Sequence, residues 1–196
     1  MTNERRQKIE KVLSHRQNDL TVVLENVFDP HNISAAMRSC DAVGVQEVYV
    51  LNTKIPRHQK WGERSSASAA KWLTIHQFDN LDACMAVLRK KYQKILTTHL
   101  STDAVGLYEV NFIPSVALVF GNEHAGVSDD FRNRADGNFI IPQVGMIQSL
   151  NISVACAVTL YEAFRQKEKA GHYQHQKLNS TEFSTLSQEW GLFEGL

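Results

Sequence analysis

Apolar, β-branched runs recur along the chain at 20–26 (LTVVLEN), 47–52 (EVYVLN), 72–78 (WLTIHQF), 94–100 (KILTTHL), 115–123 (SVALVFGNE) and 138–142 (NFIIP). The stretches 29–43, 79–92, 128–135 and 149–170 carry a helical period instead, with a further helix at 3–16 and a short one near 180–190. Strands alternating with helices predict an α/β domain around a largely parallel sheet. Asp29 ahead of Pro30 reads as an N-cap followed by proline at the first helical position, and Gly44 after RSCDAV reads as a left-handed stop, which bounds the second helix. In the first helix Ile9, Val12 and Leu13 form one stripe, and the basic residues Arg5, Arg6, Lys8, Lys11 and Arg16 scatter around the axis.

The chain has 196 residues and no Pro/Gly/Ser-rich linker, so a single domain over 1–196 is expected. Lys plus Arg equals Asp plus Glu at 21 each, so any attraction to a polyanion must come from local patches. Cys40, Cys84 and Cys156 are far apart, form no CxxC and sit in apolar segments, which suits reduced core thiols of a cytoplasmic protein better than a metal site. The charged start MTNERRQKIE and the lack of a long apolar run predict neither a signal peptide nor a membrane span. GxGxxG after the first strand, GxxxxGK[ST], GxSxG and HExxH are all missing, which removes support for nucleotide-fold and hydrolase readings.

The stretch IIPQVGMIQSLNISVACAV, from 140 on, puts a loop holding Gly145 and Gln148 between a buried strand and a long helix. Ligand sites of parallel sheets form at such places. Ser149 can cap the helix, face a ligand, or do both.

Three stretches together resemble the SpoU branch of the SPOUT RNA methyltransferases. They are ENVFDPHNISAAMRSCDAVG with Asn32 and Arg38, ALVFGNEHAGVS with Gly121, Glu123 and Gly126, and IIPQVGMIQSLNISVACAV with Ile141, Pro142, Gly145, Ser149, Leu150 and Asn151. The resemblance covers 25–160. The flanks RRQKIEKVLSHRQNDLTVVLENV and RQKEKAGHY are similar to branch members that act on tRNA. Two departures are Lys167 where arginine is common, and WGERSSASAAKW, richer in alanine and serine than the family's glycine-bearing loop.

The resemblance implies a parallel sheet flanked by helices with a C-terminal trefoil knot, a homodimer, and S-adenosylmethionine-dependent 2′-O-methylation of guanosine 18 in the tRNA D-loop. Methylation of another tRNA or rRNA ribose, or a non-catalytic RNA-binding role, are the alternatives. It implies a catalytic set of Asn32, Arg38, Glu123, Ser149 and Asn151, and a cofactor cradle of Thr98, Leu100, Gly121, Ile141, Gly145 and Leu150, with Gly145 allowing a tight turn. An arginine is effectively always protonated, so Arg38 on its chemistry is a better oxyanion stabiliser than base, whereas the family assigns it as activator of the hydroxyl. Helix periodicity puts Asn32 about 120 degrees around the axis from Arg38, while His31, Ala35 and Arg38 share a stripe. For tRNA the resemblance points to the N-terminal helix (1–19) and the C-terminal extension (165–196), with Lys8, Arg16, His31, Arg165 and Lys167 in contact. The basic segment 54–71, which carries Lys54, Arg57, Lys60, Arg64 and Lys71, adds Arg64 to that surface or is simply solvated. No metal is implied.

Overall fold

A computed structural model describes residues 1–58, 69–101 and 104–192. After α1 (Asn3–Ser14), the chain runs through β1 (Leu20–Glu25), α2 (Pro30–Ala42), β2 (Glu47–Leu51), β3 (Thr74–Phe78), α3 (Leu81–Lys91) and β4 (Lys94–Thr98). It continues through β5 (Val105–Gly106), β6 (Val116–Phe120), α4 (Asp129–Arg132), β7 (Gly137–Ile140), α5 (Ile152–Lys169) and α6 (Ser180–Glu189). All seven strands pair in parallel in the order β3-β2-β1-β6-β4-β7-β5.

The central strands explain their own sequences. β1 and β6 are buried along their whole length, as strands covered on both faces must be, so they read as continuous apolar runs. Alternate residues then split between the faces. Val22 and Leu24 meet Met37 and Cys40 of α2 and Cys156 and Leu160 of α5, while Val23 meets Met85 and Leu88 of α3 and Phe131 of α4. A third, smaller cluster joins Ile9 and Leu13 of α1 to Leu186 of α6 and to Trp190. Burying each such aliphatic side chain contributes about 1.5–3 kcal/mol, so the two sheet faces carry most of the apolar stabilisation and the α1–α6 pair is an addition at the edge.

The expected elements are present, with local differences. Asp29 caps α2 by accepting from His31 N at 2.8 Å, Pro30 opens the helix, and Gly44 has φ +81°. The sequence expectation of a strand from 72 is corrected: Ala70–Trp72 is a 3-10 turn and β3 starts at Thr74. α5 starts at Ile152 and not at 149, because Asn151 is its N-cap, its Oδ1 accepting from Ser153 N at 2.9 Å. The two-residue strand β5 was not foreseen; it adds an outer edge to β7. All three cysteines are buried and free. Among the described residues no helix is long and apolar enough to cross a membrane, and no group of three or more His, Cys, Asp or Glu is placed to hold a metal ion.

Candidate active site

The loops that follow β4, β6 and β7 meet at the carboxyl edge of the sheet and enclose an open cleft of about 1030 Å³. Strand order diverges nearby, with β1 leading outward to β2 and β3 while β4, β7 and β5 lie on the far side of β6. Ligands of open parallel sheets bind at such an edge. Thr98, Leu100, Gly121, Ile141, Gly145 and Leu150 all line the cleft, together with Glu123, Ser149 and Asn151. Leu100 is 67 % exposed and Ile147 63 %, so both leave apolar surface open in the cleft.

The segment GNEHAG makes the turn after β6, and its spacing has a cause at each position. A Cβ on Gly121 would lie 2.1 Å from the carbonyl carbon of Gly126 and from Val127 N, so only glycine fits. Gly126 has φ +68° and exchanges two backbone hydrogen bonds with Asn122, at 3.0 and 2.9 Å. The side-chain oxygen of Asn122 accepts from His124 N and Ala125 N. Glu123 is thereby pinned at the tip of the turn, facing the start of α2.

There it accepts from Phe28 N at 3.0 Å, Asp29 N at 3.2 Å and Asn32 Nδ2 at 2.9 Å. Burial alone would raise the carboxyl pKa of Glu123, but the Asn32, Phe28 and Asp29 donors outweigh it and hold it below the usual glutamate range. A carboxylate can only accept, so Asn32 must turn its amide nitrogen to Glu123, which leaves its oxygen for another donor. That donor is Asn151 Nδ2, at 3.1 Å. The oxygen of Asn151, in turn, caps α5 and accepts from Ser153 Oγ at 2.6 Å. One chain of polar contacts with a fixed direction thus runs from the β6 turn through α2 to the start of α5.

Arg38 and His31 are exposed on α2, outside the lining of the cleft. Lys8 is exposed on α1. Arg165 is exposed on α5, held by Glu162 through Nε at 2.9 Å and Nη2 at 2.7 Å. Arg64 and Lys60 lie outside the described residues.

Two assignments to an RNA surface are corrected. The Arg16 side chain is 0 % exposed; it donates to Val45 O at 3.0 Å, Asp41 Oδ1 at 2.5 Å and Trp72 O at 3.1 Å, and lies over the Trp190 ring. The Lys167 side chain is also 0 % exposed, with Nζ 3.0 Å from Asp19 Oδ2 and 3.1 Å from Ile113 O. Both cations are used up inside the fold. For Gly145, which keeps its place in the cleft lining, only the expected need for a tight turn is corrected: its φ is not left-handed, and a Cβ there would meet nothing within 4 Å. Sequence reasoning missed Asn122 and Asn26. The Gly-Asn-Glu run ahead of a second glycine was the available signal for the first.

A doubly covered parallel sheet with this cleft and this Asn–Asn–Glu chain at its carboxyl edge defines an α/β domain with a candidate ligand site. Residues 19–161 match the SpoU rRNA Methylase family, and the chain belongs to that family. It is 40 % identical over 191 residues to the tRNA (guanosine(18)-2′-O)-methyltransferase of Thermus thermophilus, covering 96 % of each chain. The crystal structure of the TrmH/SpoU tRNA modifying enzyme of A. aeolicus superposes with a TM-score of 0.89 at 36 % identity, covering 98 % of each chain. The SpoU methyltransferase AviRb of Streptomyces viridochromogenes, solved in complex with the cofactor AdoMet, gives a TM-score of 0.70 at 25 % identity over 80 % of this chain and 62 % of that one.

Proposed function

We propose that the protein transfers a methyl group from S-adenosylmethionine to the ribose 2′-oxygen of guanosine 18 in tRNA. The observation that carries this reading is the Glu123–Asn32–Asn151 chain at the rim of the cleft, in a protein that matches the Thermus guanosine-18 enzyme over 96 % of each chain. The cleft fits the cofactor in kind. Leu100, Ile141 and Leu150 offer apolar surface for a purine, and the backbone after β4, β6 and β7 offers polar groups around it. Thr98, Leu100, Gly121, Ile141 and Leu150 would hold it.

When bound, S-adenosylmethionine supplies a methyl group made electrophilic by its sulfonium. The protein's part is to hold the ribose hydroxyl in line and to manage its charge. Glu123 stays anionic with both oxygens engaged by donors, so it orients Asn32 and does not take the proton. Asn32 and Asn151 form the polar rim against which the ribose lies, and Ser149 adds a hydroxyl beside them. The guanidinium of Arg38, always charged, stabilises the negative charge that develops on the 2′-oxygen as its proton passes to solvent in the open cleft, and the neutral thioether S-adenosylhomocysteine is the leaving group.

The working form is a homodimer. Supporting this are Val154 and Tyr161, seven residues apart on α5 and 47 % and 55 % exposed, and the fully open Val144 and Met146 beside them in sequence. Arg38 then serves a ribose that lies across both copies. The segment 141–151 and α5 form the trefoil knot of the family, a reading supported by the close superposition on the A. aeolicus enzyme. A cytoplasmic location suits three buried free thiols and a tRNA substrate. Labelled S-adenosylmethionine and an unmodified tRNA transcript test the reaction: incorporation is expected, and it should vanish when position 18 carries a 2′-deoxyribose. Incorporation that survives the deoxy substitution would refute the site of transfer.

A further inference from the structure

Asn26, the first residue after β1, is the one non-glycine among the described residues with a positive φ, at 51°. Asparagine tolerates this conformation better than other side chains, but the position still costs backbone energy that its contacts must offset. It is 5 % exposed, and every polar group it has is in use. Its Oδ1 accepts from Thr53 N at 2.9 Å and from Lys54 N at 2.8 Å, and its Nδ2 donates to Thr53 Oγ1 at 3.0 Å. Its own N donates to Leu51 O, and its carbonyl accepts from Asn122 Nδ2 at 2.8 Å. The next residue, Val27, bonds His58 Nε2 through its carbonyl at 2.9 Å, and Phe28 N already holds Glu123. The backbone of Asn26 is thus tied to the cofactor-side turn and its side chain to the segment 53–58.

That segment carries cations at the carboxyl edge. Lys54 is exposed, and Arg57 is exposed and 2.9 Å from Asp79. With a net charge of zero there is no global field to hold a polyanion, so the placement of individual cations beside the site decides affinity. We infer that Asn26 is a positioning residue for substrate: its amide fixes the backbone of Thr53 and Lys54 so that the Lys54 ammonium meets a phosphate of the RNA whose ribose enters the cleft. The inference rests on the proposed RNA substrate.

Asn26→Gly keeps the left-handed backbone and removes only the amide, so it separates the two roles. It should raise KM for the tRNA transcript about tenfold, as expected for losing buried hydrogen bonds. kcat should stay within about twofold and S-adenosylmethionine affinity should be unchanged, because the carbonyl held by Asn122 remains. Asn26→Asp retains the two acceptor contacts to Thr53 N and Lys54 N and should restore KM to within about threefold. Lys54→Ala should raise KM alone and flatten its salt dependence by about one phosphate contact. The double variant Asn26→Gly, Lys54→Ala should be no worse than Asn26→Gly, since one acts through the other. An unchanged KM in Asn26→Gly or in Lys54→Ala overturns the proposal, as does full additivity or a matching loss of cofactor affinity. Amide hydrogen exchange at Thr53 and Lys54 in the protein alone should rise in Asn26→Gly; this reads the clamp without RNA, so failure of the clamp and failure of the tRNA reading are told apart.

Discussion

Asn32 and Asn151, 119 residues apart in the chain, share a hydrogen bond of 3.1 Å whose direction is set by a third residue, Glu123. The carboxylate makes Asn32 a donor toward the β6 turn and therefore an acceptor toward α5. Substitutions that reverse this polarity should hurt more than size alone predicts. Asn32→Asp, nearly isosteric, sets a second carboxylate against Glu123 and should cut kcat by about 10²-fold. Asn32→Asp combined with Glu123→Gln should recover part of that loss, because the glutamine amide can donate where Glu123 could not. Steady-state kinetics on the two variants would check it; no recovery in the double variant would argue against a polarity-coupled chain.

The two glycines of the cleft should behave in opposite ways. Gly121→Ala forces a Cβ into the Gly126–Val127 backbone and should abolish cofactor binding by wrecking the turn. Gly145→Ala meets open space, so its melting temperature should match that of the parent. Calorimetry and thermal melts on both variants decide this; a damaged Gly145→Ala fold would mean the loop is tighter than the structure has it.

Lys167 and Arg165, two residues apart, should separate stability from RNA binding. Removing the Lys167 ammonium leaves the mostly buried Asp19 with only His172 Nδ1, 3.0 Å away, beside it, so Lys167→Ala should cost about 3 kcal/mol in denaturant unfolding. Arg165→Ala removes a side chain that is itself 63 % exposed and leaves the buried Glu162 its contact with Gln166 Nε2, so it should cost about 1 kcal/mol, less than Lys167→Ala, while weakening tRNA binding in a salt-dependent way. Equal stability losses would show that burial does not distinguish the two.

A pH effect is expected far from the active site. Glu47, at the start of β2, receives Tyr49 OH at 2.8 Å and Lys91 Nζ at 2.6 Å, with His76 Nε2 3.6 Å away. Burial opposes its charge, but His76, Lys91 and Tyr49 prevail and pull its pKa down to about 2. A depressed carboxyl stabilises the fold above the ordinary glutamate pKa, and that stability is lost as pH falls from about 4.3 toward about 2. Unfolding free energy measured across this window should drop by ~2 kcal/mol more in the parent than in Glu47→Gln. Parallel curves would remove Glu47 as the source.

How far the chain could be read from its sequence depended on the range of the interaction. Asp29, Pro30 and Gly44 act within a few residues, and α2 was legible to its ends. β1 and β6 were legible because strands covered on both faces are apolar throughout. Resemblance put Gly121, Glu123, Ile141 and Asn151 at one site, and all four line the cleft, but the hydrogen bonds by which Asn32 joins Glu123 to Asn151 were not legible. Arg16 and Lys167 misled, because a buried cation looks like a surface one until its partner is found. Those partners, Asp41 and Asp19, sit on other elements. Asn26 was invisible for the same reason: nothing local marks a residue whose side chain bonds a strand exit 27 residues away.

The most direct measurement is to map the methylated nucleotide by nuclease digestion and mass spectrometry, after incubating the protein with S-adenosylmethionine and an unmodified tRNA transcript. A single added methyl is expected on the ribose of guanosine 18, lost in Arg38→Ala and Asn32→Ala. A methyl group on another nucleotide or on a base, or no transfer from protein shown to bind both cofactor and tRNA, would contradict it.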